Sequence, residues 1–169
     1  NGEKVTDLVI PNSVTSINEC VFAGCSGLTS VTIPDGVTSI GSSAFYGCTG
    51  LESILIPVGV ETINKSTFYG CEMLEGVTLS TSTIKIDGFA FYGCKSLQSI
   101  DIPDSVEEIG SSAFYGCLAL TSVSIPDSVT SIGQFAFQTC WGLKEVIIPD
   151  SVTTLGSRIF AECQVLTKV

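Results

Sequence analysis

Apolar side chains recur along the chain at a fixed interval of 23 residues. One series runs Ile10, Ile33, Ile56, Leu79, Ile102, Ile125, Ile148, and a second runs Leu28, Leu51, Leu74, Leu97, Leu120, Leu143, Leu166. Phe22, Phe45, Phe68, Phe91, Phe114, Phe137 and Phe160 form a third column. Seven of the eight cysteines, Cys25, Cys48, Cys71, Cys94, Cys117, Cys140 and Cys163, form a fourth. All six prolines share one further column, with Ser80 as the single substitute. Self-similarity at such a period marks a stacked repeat.

Within one unit, Leu120, Val123 and Ile125 have the spacing of a short strand whose alternate side chains point inward. Pro126 follows at once and has no N–H for a ladder, so the strand ends after a few residues. Val106 and Ile109 predict inward contacts from a second extended or turning segment. Gly110 to Phe114 predicts a single helical turn capped by a serine hydroxyl. One unit cannot bury its own Leu, Val, Ile and Phe, but stacking lays equivalent residues over one another in a continuous core. The pattern predicts a curved solenoid of about seven repeats filling residues 1–169 as one domain. Val5 and Leu8 open in a strand segment and Leu166 and Val169 close in one, without polar capping repeats. We read the chain as a fragment of a longer protein.

Charge and composition narrow the chemistry. There are 7 basic and 17 acidic side chains, a net charge of −10, a pI near 4.1 and no histidine. Without histidine the usual general base and the commonest metal ligand are missing, so neither catalysis nor a cofactor is expected. Lys65, Lys85 and Lys95 fall in different columns and do not make a catalytic group. The acidic balance argues against nucleic acid and anionic membrane, both of which are bound through clustered Lys and Arg. Apolar runs such as Ile54 to Ile56 are far too short to cross a bilayer. Charged residues are 14% of the chain, so Ser, Thr and Gly must carry much of the surface.

The runs Ile33-Pro34-Asp35-Gly36-Val37-Thr38-Ser39-Ile40-Gly41-Ser42-Ser43-Ala44-Phe45-Tyr46-Gly47-Cys48 and Leu51-Glu52-Ser53-Ile54 resemble the BspA-like class of leucine-rich repeats. The resemblance covers essentially the whole chain. It implies a leucine-rich repeat solenoid: a right-handed curved stack with short parallel strands on the concave face and short turns or helical turns on the convex side. It also implies a secreted or cell-surface protein of host-associated bacteria or parasitic protists, adhering to host or cell-surface proteins. It brings no catalytic residue and fixes no binding residue, because its motif consists of core positions.

Candidate binding residues must therefore come from departures in outward columns. Alternation places Asp7, Ser30, Ser53, Gly76, Ser99, Ser122, Glu145 and Val9, Thr32, Leu55, Thr78, Asp101, Ser124, Ile147 on the outer side of the ladder strand. Leu55, Asp101, Glu145 and Ile147 break a small polar background, and with Ser124 they are the candidate partner site. Neutral variation on a solvated face is the competing explanation. Tyr46, Tyr69, Tyr92 and Tyr115 form an aromatic strip that either binds glycans or peptide side chains or simply covers the core. Asp35, Asp104, Asp127 and Asp150 follow proline and suit Asx-turns, with weak calcium binding at the stacked Asp104, Asp127 and Asp150 as the alternative. The column cysteines should form a buried ladder of free thiols, while Cys20 stands outside it as a candidate reactive thiol. Gly24, Gly47, Gly70, Gly93 and Gly116 suit a positive φ, although Thr139 and Glu162 interrupt them. Trp141 is either a partner anchor or packed on Leu118, and Asn64-Lys65-Ser66 is a formal glycosylation sequon. The expected function is a non-catalytic extracellular protein-interaction or adhesion module. A structural spacer or self-associating stalk and a glycan- or calcium-dependent binder are the alternatives.

Overall fold

Each repeat folds into two short strands because a buried aliphatic residue alternates there with polar ones that face solvent. The computed structural model describes residues 6–169; Val5 lies outside them. The strands are β1 (Asp7–Val9), β2 (Ser16–Ile17), β3 (Ser30–Thr32), β4 (Ser39–Ile40), β5 (Ser53–Leu55), β6 (Thr62–Ile63), β7 (Gly76–Thr78), β8 (Lys85–Ile86), β9 (Ser99–Asp101), β10 (Glu108–Ile109), β11 (Ser122–Ser124), β12 (Ser131–Ile132), β13 (Glu145–Ile147) and β14 (Thr154–Leu155). All pair in parallel with the equivalent strand one repeat away, as in Asp7 with Ser30, Glu108 with Ser131 and Ser122 with Glu145. The three-residue strands build the ladder face as sheets β1-β3-β5-β7 and β9-β11-β13. The two-residue strands build a second face as β2-β4 and β6-β8-β10-β12-β14. The break between β4 and β6 falls at Asn64, whose side-chain amide donates to the Ile40 carbonyl at 2.7 Å. In other rungs the backbone N–H makes the equivalent bond, as from Gly133 to Ile109 at 2.7 Å.

Between the two faces lies one core. Phe45, Phe68, Phe91, Phe114 and Phe137 are wholly buried and stack in a continuous column with centroids 5.1–5.5 Å apart. Cys48, Cys71, Cys94, Cys117 and Cys140 are buried free thiols, Cys163 is half-buried and Cys25 is exposed. The ladder of free thiols expected from the spacing is present, and it also has a polar role. Each thiol from Cys48 to Cys163 donates to the carbonyl of the phenylalanine in the preceding rung: Cys94 to Phe68 at 3.2 Å, Cys117 to Phe91 at 3.3 Å. That carbonyl also accepts the backbone N–H of the cysteine in its own rung, as Phe68 does from Cys71 at 3.2 Å. A buried oxygen with two lone pairs is thereby satisfied twice.

The helical turn expected at Gly110 to Phe114 does not form; no helix occurs among the described residues. The segment is a chain of β-turns, closed by Ala113 N–H to Gly110, Tyr115 to Ser112 and Cys117 to Phe114. The intervening N–H groups turn along the solenoid axis instead: Ser112 to Gln134, Phe114 to Ala136 and Gly116 to Gln138, at 2.8–2.9 Å. A helix would keep every N–H within its own rung, and this alternation gives half of them to the next. It requires two left-handed residues per rung. One column holds Cys20, Ser43, Ser66, Phe89, Ser112, Phe135 and Arg158 at φ 55–61°. The other holds the five glycines named above at φ 66–76°, and Thr139 and Glu162 keep the same conformation at φ 62°.

Glycine has a different task in the column of Gly41, Gly110, Gly133 and Gly156. A Cβ on Gly133 would lie 2.4 Å from the backbone nitrogen of Ser111 in the rung before. Gly133→Ala is therefore expected to destabilise the protein by about 3 kcal/mol through overpacking against backbone, read from the midpoint of denaturant unfolding.

Candidate functional site

On the ladder face the middle residue of each strand after β1 is buried and its two neighbours point out, as in the exposed–buried–exposed pattern of β9, β11 and β13. Parallel register aligns the outer residues into two rows. Asp101, Ser124 and Ile147 form one row across three rungs, and Ser99, Ser122 and Glu145 form the other. Because Ser122 and Ser124 are small while Asp101, Glu145 and Ile147 beside them are longer, the middle rung becomes the floor of a depression of about 450 Å³. Asp101, Glu145, Ile147 and Asp127 wall it. A second hollow of about 300 Å³ adjoins it, with Gly76 and Thr78 between Leu55 and Asp101. Four of the five residues selected from the sequence thus share one hollow, and Leu55 stands in the next with Asp101 as the common wall.

Ile147 is 66% exposed and Leu55 58% exposed, although both are apolar. Around Ile147 are the carboxylates of Asp101, Asp127 and Glu145, of which Glu145 has Lys168 at 3.9 Å, and Leu55 shares its hollow with Asp101. Asp127 escaped selection because the sequence places it in a turn. The bend after Ile125 and Pro126 carries it back to the depression. The turn itself is closed by proline carbonyls rather than by Asx side chains: Val106 N–H donates to Pro103 and Val129 N–H to Pro126, both at 3.0 Å. Among the described residues no three acidic or thiol side chains converge as a metal site.

The tyrosine strip is a tight face-to-face stack. Tyr46–Tyr69, Tyr69–Tyr92 and Tyr92–Tyr115 have centroids 4.8, 4.5 and 4.7 Å apart, tilted by 8°, 1° and 3°. The facing π surfaces therefore contact each other, and only ring edges, hydroxyls and the outer faces of Tyr46 and Tyr115 remain for anything else. Burial, then the adjacent phenols, raises the Tyr92 phenol above its ordinary range. Trp141 is 45% exposed, and Cys20 and Cys25 are exposed free thiols. The Asn64 amide of the sequon is engaged by Ile40. Many of the serines and threonines join rungs: Ser128 donates to Val106 at 2.7 Å and Thr130 to Glu107 at 3.3 Å. Every buried side-chain polar atom among the described residues has a partner.

Residues 1–117 and 61–169 match the BspA type Leucine rich repeat region, in six copies. The chain belongs to that family of leucine-rich repeat proteins. Among solved structures it is similar to a leucine-rich repeat protein of T. pallidum, at 33% identity and TM-score 0.92, covering 98% of this chain and 79% of that one. It is also similar to a leucine rich cell surface protein from Faecalibacterium prausnitzii, at 35% identity and TM-score 0.90, covering 96% of this chain and 46% of that one. A leucine-rich repeat protein from Bacteroides ovatus matches at 36% identity and TM-score 0.91, covering 96% and 44%. The chain thus spans less than half of the last two. No curated protein matches it.

Proposed function

We propose that the chain is a non-catalytic protein-interaction module, displayed at a cell surface, that adheres to a partner protein through its ladder face. The observation that carries this reading is the depression at β9, β11 and β13, where the departures from a small polar background meet around an exposed isoleucine. A rigid floor of serines costs little ordering on binding, and one apolar anchor within a polar rim is how binding energy concentrates in an interface. The acidic rim selects a partner surface that offers Lys or Arg beside an apolar side chain. The similarity to a protein named for the cell surface supports the location.

The test is binding of the purified chain, at physiological salt, to immobilised matrix and cell-surface proteins and glycans, beside a variant carrying Leu55→Ser, Asp101→Ser and Ile147→Ser. Loss of the Ile147 anchor alone should cost about 2 kcal/mol, roughly thirtyfold in Kd. Saturable binding that the folded variant retains in full would move the site off the ladder face. Absence of binding to any ligand would favour a spacer or self-associating stalk.

A further inference from the structure

The tyrosine stack differs from the phenylalanine stack in two respects that bear on covalent chemistry. Its rings carry hydroxyls, and they lie at the surface, Tyr46 43% exposed and Tyr69, Tyr92 and Tyr115 half-buried. Their centroid separations of 4.5–4.8 Å match the spacing between adjacent strands, about 4.8 Å. Equivalent rings one repeat apart, parallel to within 8°, thus lie over one another with little sideways offset. The carbon ortho to each hydroxyl therefore has its counterpart in the next ring as near neighbour. The fold holds four phenols as successive near neighbours, so that two phenoxyl radicals formed there meet without diffusing and couple as the rings tilt out of the stack, and all eight cysteines are free, with no disulfide joining one rung to another.

We infer that Tyr46, Tyr69, Tyr92 and Tyr115 form an oxidative cross-linking site, at which hydrogen peroxide acting through a haem peroxidase joins adjacent rungs by dityrosine bonds. Each of two neighbouring tyrosines loses one electron and its phenolic proton. The two phenoxyl radicals join through ortho ring carbons, and the hydrogen on each of those carbons then moves to oxygen, restoring both phenols. Two electrons and two protons leave in all, and they reduce one hydrogen peroxide to two waters. The product staples consecutive turns of the solenoid, a covalent link between rungs that the free cysteines do not supply.

Trypsin separates the four tyrosines, because Lys65, Lys85, Lys95 and Lys144 put each on its own peptide. The dilute native chain, with exposed thiols first capped by iodoacetamide, is treated with peroxide and peroxidase, and its monomer is digested and analysed by mass spectrometry. Cross-linked pairs are expected only between neighbours, such as 66–85 with 86–95, together with blue dityrosine emission. The Tyr46→Phe/Tyr115→Phe variant keeps the adjacent pair Tyr69 and Tyr92 and should keep the cross-link. The Tyr69→Phe/Tyr115→Phe variant leaves Tyr46 and Tyr92 two rungs apart and should fall to the emission of unoxidised protein. Thermal melts of both variants before oxidation check that each is folded. No intramolecular dityrosine in the wild-type chain under conditions that couple free tyrosine, or equal cross-linking in the two variants, would overturn the inference.

Discussion

Raising the pH from about 8 to about 10 is expected to cost the protein several kcal/mol of stability, a steep alkaline loss that follows from the thiol ladder. Burial pushes the Cys48 thiol up to about 11 from its ordinary 9.0. Burial first, and then the neighbouring thiol, drives Cys71, Cys94, Cys117 and Cys140 further upward. In the unfolded chain these thiols release their protons near 9.0, while the folded chain keeps them. The folded state then binds more protons, so the stabilisation is complete below about pH 9 and drains away as pH rises toward the folded values. Each deeply buried thiol contributes about 1.4 kcal/mol per pH unit, so four give about 5 kcal/mol per unit, comparable with the whole stability of a typical domain. Denaturant melts at intervals between about pH 7 and pH 10 measure the slope. Cys94→Ala should lower stability at neutral pH and flatten the slope by one proton. Equal stability at both ends of the range would show that the thiols ionise as easily in the fold as out of it.

Those thiols were legible in the sequence because a core position must hold the same kind of residue in every rung. The same holds for Phe45 to Phe137, and for the alternation that put Ser124 and Ile147 outward beside buried Val123 and Val146. What escaped depends on the rung above or below. Gly110 to Phe114 reads locally as a helical turn, and only the bonds from Ser112, Phe114 and Gly116 to the next rung make it a string of β-turns. Its first left-handed column accepts Cys20, Ser112, Phe89 and Arg158 alike, so no residue preference announces it. In the glycine column, Thr139 and Glu162 keep a positive φ because the neighbouring rungs fix it, despite roughly 1–2 kcal/mol of local strain. The tyrosines illustrate the same division. Their adjacency follows from the period, but that each ring covers its neighbour's face is a fact of the stacked fold. At the ladder face, the row of Asp101, Ser124 and Ile147 follows from alternation, whereas Asp127 joins it only through the bend after Pro126.

Phe91→Ala tests how far stability in this array passes from rung to rung. Phe91 is wholly buried and stacks on Phe68 at 5.4 Å and Phe114 at 5.3 Å. Its truncation removes a large side chain from between two neighbours that the ladder hydrogen bonds hold in place, so the cavity cannot easily close. The expected cost is about 3–5 kcal/mol. Phe160 has a described ring partner on one side, Phe137 at 5.8 Å, and is only partly buried, so Phe160→Ala should cost about 1–2 kcal/mol. Since each repeat contacts only its neighbours, a weak central rung also uncouples the two halves. Trp141, the single tryptophan, lies on the C-terminal side of the cut and reports that half, while circular dichroism reports both. In the parent chain the two signals should change together; in Phe91→Ala they should separate. Coincident transitions with an equal loss for Phe91→Ala and Phe160→Ala would mean that the phenylalanine column adds burial alone and does not couple one rung to the next.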